Sequence, residues 1–184
     1  MGKGSRLLRG KLCIADETRY CYQTLELSPV LHPSEKIERL LARLIAYALE
    51  YEPGLAFGGG ISSTGEAPIW LRDQDERVIH WIDLGQPDEE RLEKQVRRVE
   101  RLSLYLYGPQ ALRWWQQHGS AMKGVDAMQV VLLDWAVLET LAAHLGSGFE
   151  LGVTRSEDQL YLSLGEQSTE MSLQRLAAGW RSDH

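Results

Sequence analysis

The residues with the clearest potential for chemistry lie between positions 66 and 94. Glu66 precedes an aromatic segment, Asp83 lies near the end of the next apolar segment, and Lys94 follows in a helical pattern. Carboxylate oxygens bind hard divalent ions such as Mg²⁺ or Mn²⁺, and a nearby cation steadies an attacking water or the charge of a phosphate. This order of two acids and a cation is typical of a metal-dependent phosphodiesterase.

Asp83 is the central residue of this interpretation. Alternation places Ile79, Trp81 and Asp83 on one face of the predicted strand Val78–Leu84. An acid at the end of a buried strand is costly unless it is paired or coordinates a ligand, and ligand sites of open α/β sheets lie at the carboxyl ends of strands. The alternative is an aspartate that caps the turn at 85–87 or the helix after it.

Glu66 is the candidate partner of Asp83. If Ile69–Arg72 and Val78–Leu84 pair as a hairpin, Glu66 and Asp83 lie near the same end of the sheet. Taken alone, Glu66 is better explained as a solvated loop residue. Asp73 lies beside the hairpin turn, the wrong end for meeting Asp83, so we expect it to be a turn residue.

The next predicted helix, which begins at residue 87, supplies candidate cations. Four basic residues recur along one helical face: Arg91, Lys94, Arg98 and Arg101. Such a stripe is typical of a solvated surface, and Glu90 with Lys94 forms a favourable i,i+4 pair. The alternative is that Arg91 and Lys94 lean over the acids and supply cations for a phosphate.

Two further acids begin the helix that has the strongest apolar periodicity, which we predict over 33–51. Glu35 suits the positive end of the helix dipole, and this explains it without any catalytic role. Glu38 borders the apolar stripe and could point inward from the helix edge. A helical acid of this kind can join a site formed by two strands.

Other catalytic motifs are weak or missing from the sequence. His32 and His80 have no second His or Cys at ligand spacing, which argues against zinc. The glycine-rich loop at 58–65 lacks the GK[ST] of a P-loop. Trp114 and Trp115 are most simply core aromatics, with stacking on unpaired bases as the alternative.

Length and composition indicate one ordinary globular domain over 1–184, with a net charge of −6 that argues mildly against bulk nucleic-acid binding. No apolar segment is long enough to span a bilayer, and residues 1–10 lack the features of a secretory signal. We therefore expect a cytoplasmic protein with no membrane partner. Cys13 and Cys21 could face each other across a hairpin, but we expect reduced thiols.

The predicted elements indicate a mixed α/β fold. From residue 78 onward strands and helices alternate, which implies parallel crossovers and an α/β core. Strands predicted at 9–15 and 20–27 form an N-terminal hairpin, and two or three more are predicted within 149–173. These would add antiparallel edges or a side sheet.

The assembled motifs resemble those of the YaeQ family of bacterial proteins. The resemblance is carried by HPSE followed by Glu38–Arg39, GEAPIWLRD, WIDLGQPDEERLEK, LYLYG, the tryptophan pair in ALRWWQQH, and VVLLD. It extends in order across nearly the whole chain, and its most specific block is WI[DE]LGxPDExRxxK.

The resemblance implies a fold similar to the PD-(D/E)XK, or restriction-endonuclease-like, superfamily: a mixed central sheet flanked by helices. Carried over by position, Asp83 matches the acid of the (D/E)xK tripeptide, Glu66 the acid of the preceding strand, and Glu35 or Glu38 the acid of the first helix. Gly85 occupies the position of the tripeptide lysine, and a cation from the next helix, Lys94 or Arg91, would have to replace it. Pro68 stands where related sequences often carry an acid.

These observations lead to two hypotheses. In the first, the chain is a metal-dependent nuclease in which Glu66 and Asp83 bind Mg²⁺ or Mn²⁺, Glu38 or Glu35 completes the site, and Lys94 and Arg91 act on water or phosphate. In the second, it is a non-catalytic, nuclease-like module that binds nucleic acid or a protein partner. We expect a monomer in both cases.

Overall fold

Two large sheets with a helix between them make up most of the fold. The computed structural model describes residues 4–59 and 65–179. In chain order the strands are β1 (Arg6–Leu7), β2 (Arg9–Asp16), β3 (Cys21–Leu27), β4 (Val30–Leu31), β5 (Ala56–Phe57), β6 (Ile69–Arg72), β7 (Val78–Leu84), β8 (Arg101–Leu106), β9 (Met128–Leu132), β10 (Gly148–Ser156), β11 (Gln159–Leu164), β12 (Gln167–Ser172) and β13 (Gln174–Ala178). The α-helices are α1 (Ile37–Leu49), α2 (Glu89–Val96), α3 (Ala111–His118) and α4 (Trp135–Ala142).

The central sheet has six strands in the order β13-β9-β8-β7-β6-β5. Strands β7, β8 and β9 are parallel neighbours, and the others pair antiparallel. Helices α2 and α3 form the crossovers between the parallel strands, as the alternation of elements predicted. The predicted mixed α/β fold, with a central sheet flanked by helices, is confirmed.

A separate five-stranded sheet joins the two ends of the chain, in the order β12-β11-β10-β2-β3. Its middle pair, β10 and β2, is parallel, with Leu151 opposite Leu12. A short two-stranded sheet pairs β1 with β4. The N-terminal hairpin and the C-terminal strands therefore form a side sheet, one of the two arrangements expected from the sequence.

Helix α1 lies between the two large sheets. All residues from Leu40 to Leu49 are buried, because the helix is covered on every side. All of them are hydrophobic except Arg43, which is paired with Glu35. Its core includes Ile82 from the central sheet and Leu12 and Val153 from the side sheet. A second apolar cluster, with Trp81, Leu92 and Trp115, fills the space between the central sheet and helices α2 and α3.

Three expectations about elements are corrected by the structure. Helix α1 begins at Ile37, after Lys36 at the N-cap position, so Glu35 precedes the helix. Helix α2 ends at Val96, and Arg101 begins β8, so the predicted basic stripe does not continue along one helix. In the N-terminal hairpin Cys13 pairs with Thr24 rather than with Cys21, and both cysteines are free thiols.

Within the described residues, no helix has the length and apolar character required to cross a membrane.

Candidate functional site

Asp83 lies near the carboxyl end of β7 and accepts three hydrogen bonds. The Trp81 indole N–H donates to Oδ2 over 3.2 Å, and the main-chain N–H of Leu84 donates to Oδ1 over 3.0 Å. Arg91 donates from Nε to Oδ2 over 3.1 Å. The Asp83 side chain is only 5% exposed, so these donors replace the water that a free carboxylate requires. We call this group the Asp83–Arg91 site.

The local sequence explains how Arg91 reaches Asp83. Gly85 follows β7 with φ of +80°, a left-handed conformation that glycine adopts without strain, and it turns the chain toward α2. The next residue along α2, Leu92, is buried in the cluster that contains Trp81. Arg91 therefore lies at the edge of the buried helix face, with its guanidinium 5.5 Å from the centre of the Trp81 ring.

Glu66 reaches the Asp83–Arg91 site through its main chain. Strands β6 and β7 form the predicted hairpin, with Ile69 opposite Ile82, which brings the residues before β6 to the end of β7. The Arg91 NH2 group donates to the main-chain oxygen of Glu66 over 3.2 Å. The Glu66 carboxylate accepts instead from the main-chain N–H of Gly59 over 2.6 Å.

Two glycines allow this loop to approach Glu66. A Cβ on Gly58 would lie 1.8 Å from the main-chain oxygen of Ala67, and one on Gly59 would lie 2.2 Å from Glu66 Oε2. In the sequence alone, these glycines argue against a P-loop but do not predict this close approach. Residues 60–64, which include the other polar residues of that loop, lie outside the described residues.

Asp73 occupies the opposite end of the hairpin, as expected for a turn residue. Its Oδ1 accepts from the main-chain N–H groups of Asp75 and Arg77, over 2.9 Å and 3.0 Å. Lys94, the other candidate cation, is exposed on the last turn of α2.

The two acids at the start of α1 approach from the other face of the central sheet. Glu35 is buried and accepts from Arg43 NH2 over 2.9 Å and from Arg39 NH1. Glu38 lies in the first turn of α1 and, with Glu35, acts electrostatically on Tyr107, whose pKa burial raises to about 12. Alternation along β7 directs Asp83 toward α2 and its neighbours toward α1. The convergence of these acids on Asp83 that the sequence reasoning expected is therefore not observed.

Comparison with known proteins places this arrangement in a family. A family model described as YaeQ protein matches residues 1–173. The chain belongs to the YaeQ family. The YaeQ protein of Salmonella typhi is 31% identical over 161 residues, covering 87% of this chain and 89% of that protein. The YaeQ protein of Escherichia coli (strain K12) is 28% identical over 174 residues, covering 94% and 96%. Both relatives are described as uncharacterized.

Solved YaeQ structures have the same fold. The crystal structure of the YaeQ protein from Xanthomonas axonopodis pv. citri has a TM-score of 0.90 and 34% identity, covering 95% of this chain and 99% of that one. That of the Pseudomonas syringae YaeQ protein has a TM-score of 0.89 and 34% identity, covering 95% and 97%. The sheets and helices that hold the Asp83–Arg91 site thus belong to an architecture found in other YaeQ proteins.

This YaeQ-family chain also contains a buried polar cluster that sequence reasoning missed. Its members are Glu50, His80, Ser103, Tyr105 and Gln129, all buried on the α1 face of the central sheet. The Tyr105 hydroxyl donates to Glu50 Oε1 over 2.6 Å, and the Gln129 amide donates to the same oxygen and to Ser103 Oγ. His80 Nε2 and Ser103 Oγ share a hydrogen bond of 2.9 Å.

One signal in the sequence pointed to this cluster. His80, Ser103 and Gln129 each interrupt the apolar face of a strand that is otherwise hydrophobic. His80 is isolated in the sequence, because its hydrogen-bond partner Ser103 lies on a neighbouring strand rather than nearby in the chain. The parallel register of β8 and β9 places Ser103 opposite Gln129, which brings these two side chains together.

Glu52 connects the buried polar cluster to the surface. His80 Nδ1 lies 3.9 Å from Glu52 Oε1, and Arg101 NH2 donates to the same oxygen over 2.7 Å. The interaction with His80, together with that of Arg101, outweighs partial burial and lowers the pKa of Glu52 to about 2. For Tyr105, burial and then the neighbouring Glu50 carboxylate raise the pKa well above its ordinary value.

The donor set at the Asp83–Arg91 site matches magnesium in type. The Asp83 carboxylate and the Glu66 main-chain oxygen are both hard oxygen donors, and both contact one guanidinium group. Magnesium sites in proteins often use one or two carboxylates and leave the remaining positions to water and phosphate. Within residues 4–59 and 65–179, however, no three His, Cys, Asp or Glu side chains are grouped so that they could hold a metal.

Proposed function

We propose that this chain is a metal-dependent phosphodiesterase that acts on DNA or RNA at the Asp83–Arg91 site, as in nucleases of the PD-(D/E)XK type. The observation that carries the proposal is the position of Arg91. The tripeptide lysine of that superfamily is replaced here by Gly85, and Arg91 brings a cation from α2 to within 3.1 Å of Asp83.

The proposed roles follow from the chemistry of each group. Asp83 holds the metal, with the main-chain oxygen of Glu66 as a second donor. A bound Mg²⁺ or Mn²⁺ would supply an activated water and would neutralise phosphate charge. Arg91 binds a phosphate oxygen, for which its planar fork of N–H groups is suited. Lys94 lies one helical turn further on and contacts the nucleic-acid backbone. Glu35 and Glu38 have no role in this proposal, because they approach from the other face of the sheet.

The proposal makes Arg91 and the metal competitors for Asp83. In the structure Arg91 Nε lies 3.1 Å from Asp83 Oδ2, so the guanidinium and a metal ion bound to that oxygen would compete. Arg91 must therefore move from Asp83 to the phosphate when metal and substrate bind. Metal affinity should accordingly be weak in the free protein and stronger in a variant that lacks the guanidinium.

Calorimetric titration with Mg²⁺ and Mn²⁺ tests this proposal. We expect saturable binding to the wild type, loss of binding in Asp83→Asn, and binding at least as tight in Arg91→Gln. Hydrolysis of a labelled oligonucleotide should be lost in both variants, and Arg98→Gln, which removes an exposed cation beyond the end of α2, should match the wild type. Absence of saturable metal binding, or equal hydrolysis by Asp83→Asn, would reject the proposal.

A second candidate function is the non-catalytic module that binds nucleic acid or a protein partner. It is favoured by the three hydrogen bonds that Asp83 already accepts from protein groups and by the bond from Gly59 to the Glu66 carboxylate. If metal does not bind, fluorescence polarisation with a labelled oligonucleotide distinguishes nucleic acid from a protein partner. Binding that persists in Asp83→Asn and is weakened in Arg91→Gln would support a nucleic-acid module.

A further inference from the structure

A cavity of about 330 Å³ lies at the far end of α1 from Glu35 and Glu38. Glu50, Tyr105 and Gln129 of the buried polar cluster form part of its lining, together with residues of β8, β10 and β13. Its volume is at the lower end of the range for sites that bind small molecules. We call it the arginine cavity, because four arginines line it: Arg19, Arg101, Arg155 and Arg175.

Each of these arginines is held in place by a partner. Arg19 donates to Asp16 and to the carbonyl oxygens of Ala48 and Tyr51, so it neutralises the negative end of the α1 dipole. Arg101 is paired with Glu52 over 2.7 Å.

The two remaining arginines keep donors for a ligand. Arg155 is only 9% exposed, and it donates from Nε to the carbonyl oxygen of Glu157 and from NH1 to Asp16. Arg175 donates from Nε to Asp158. Within residues 4–59 and 65–179, the NH2 of Arg155 and both terminal nitrogens of Arg175 have no hydrogen-bond acceptor. Within the described residues these nitrogens reach solvent rather than being sealed in the core, so water satisfies them in the free protein. The oxygens of a ligand can take the place of that water.

The lining itself has two more guanidinium groups than carboxylates, although Asp16 and Asp158, which lie outside the lining, balance this excess. The lining carries four guanidinium groups and two carboxylates, in a chain whose net charge is −6. Both carboxylates already accept hydrogen bonds from protein groups, Glu50 from Tyr105 and Gln129, and Glu52 from Arg101. Asp16 and Asp158 hold three of the arginines from outside the lining.

We propose that the arginine cavity binds a small phosphate monoester, with Arg155 and Arg175 as its principal ligands. A phosphate presents three acceptor oxygens and nearly two negative charges at neutral pH, and it matches the fork of a guanidinium group. The amide of Gln129 and the carboxylate of Glu50 at the wall of the cavity can recognise a polar group on the remainder of the ligand. This inference does not depend on the proposed function, because the arginine cavity and Asp83 lie on opposite faces of the central sheet.

Calorimetric titration of the full chain with inorganic phosphate and with a nucleoside 5′-monophosphate tests the inference, with chloride at matched ionic strength as the reference. We expect saturable binding of both phosphates, weakened about tenfold or more in Arg175→Gln, since a charge-assisted hydrogen bond contributes on that order. Arg175 is 35% exposed, so this variant should fold even if Arg155→Gln does not.

A 5′-phosphorylated oligonucleotide compared with its 5′-hydroxyl form distinguishes a free metabolite from a nucleic-acid end.

Two control variants distinguish phosphate binding in the arginine cavity from binding to arginines elsewhere on the protein. Arg72→Gln removes an arginine from an exposed ion pair with Glu76 in the β6–β7 hairpin and should bind phosphate as the wild type does. Arg98→Gln, which removes an exposed cation beyond the end of α2 and lies outside both proposed sites, should also bind phosphate as the wild type does. The inference is overturned if the wild type shows no saturable phosphate binding, or if Arg72→Gln and Arg175→Gln are weakened equally.

Discussion

The ion pair between Asp83 and Arg91 stabilises the fold and also supplies the two side chains on which the proposed hydrolysis depends. The Arg91 side chain is 25% exposed, whereas the Asp83 side chain is almost fully buried. Without the pair, water could solvate the guanidinium but not the carboxylate, so loss of Arg91 leaves Asp83 without charge compensation. Removing one member of such a pair leaves a buried charge without compensation, and this cost usually exceeds the net value of the pair itself.

We therefore expect Arg91→Gln to lower the free energy of unfolding by about 1–3 kcal/mol, measured by urea denaturation. Arg98→Gln, an exposed position beyond α2, should change it by less than about 0.5 kcal/mol. The double variant Asp83→Asn with Arg91→Gln should cost less than the sum of the single changes, because neither charge is left unpaired. Strict additivity would show that the two side chains do not stabilise each other.

Glu52 should make stability dependent on pH in the acid range. Its folded pKa of about 2 is lower than the ordinary value of 4.5, since His80 and Arg101 favour the carboxylate. A depressed folded pKa contributes stability that is present above about pH 4.5 and is lost as pH falls toward 2. The side chain is 36% exposed, so solvent reduces the size of the effect.

Urea denaturation from pH 7 to pH 2 would measure this dependence. We expect Glu52→Gln to be less stable than the wild type at pH 7, and the difference to shrink between pH 4.5 and 2. Glu76→Gln is the control, because Glu76 pairs with Arg72 but its side chain is 80% exposed. A constant difference between Glu52→Gln and the wild type across this range would contradict the assignment.

Only the features of the candidate site that depend on residues close together in the chain could be predicted from the sequence. The position of Asp83 at the strand end and of Arg91 in the next helix follows from the pattern of apolar residues. The orientation of the Glu66 carboxylate does not, because it depends on the close approach of Gly59 across the loop. The contacts among His80, Ser103 and Gln129 require the register of three neighbouring strands, which single-strand patterns do not contain.

The strands and helices that were predicted correctly are likewise those that local sequence patterns define. The bounds of β6 and β7 were predicted correctly, since alternation and a turn define both. Strand β13 was missed, because its sequence QRLAA has little β propensity and its partner, β9, lies some forty residues earlier. The predicted start of α1 was four residues early because Pro33 and Ser34 resemble a helix start, whereas the chain makes a turn there and begins the helix after Lys36.

Packing of the two large sheets against α1 is the feature that could not be read from local sequence. The periodicity of α1 predicted an amphipathic helix with one buried face, yet its residues from Leu40 to Leu49 are buried on all sides. The second covering surface is the side sheet, which forms only when β10 pairs with β2 from the other end of the chain. Each sheet therefore buries its apolar face against the same helix.

This shared core predicts that the two large sheets unfold together. Leu12 of β2 is fully buried in the core that also contains α1 and Ile82. Leu12→Ala should therefore destabilise the central sheet as well as its own, by about 2–5 kcal/mol. Tryptophan fluorescence reports mainly on the central sheet and its helices, since the five strands of the side sheet contain no tryptophan while β6, β7 and α3 together contain four. Trp135 of α4 adds a signal from the shared core.

In urea denaturation, Leu12→Ala should lower the midpoint seen by tryptophan fluorescence and the midpoint seen by circular dichroism equally. Leu102→Ala, in the apolar cluster on the other face of the central sheet, provides the matched control and should also move both signals together. Coincident midpoints are the signature of a single cooperative transition. If Leu12→Ala shifted only the circular dichroism signal, the side sheet would unfold independently and α1 would belong to the central sheet alone.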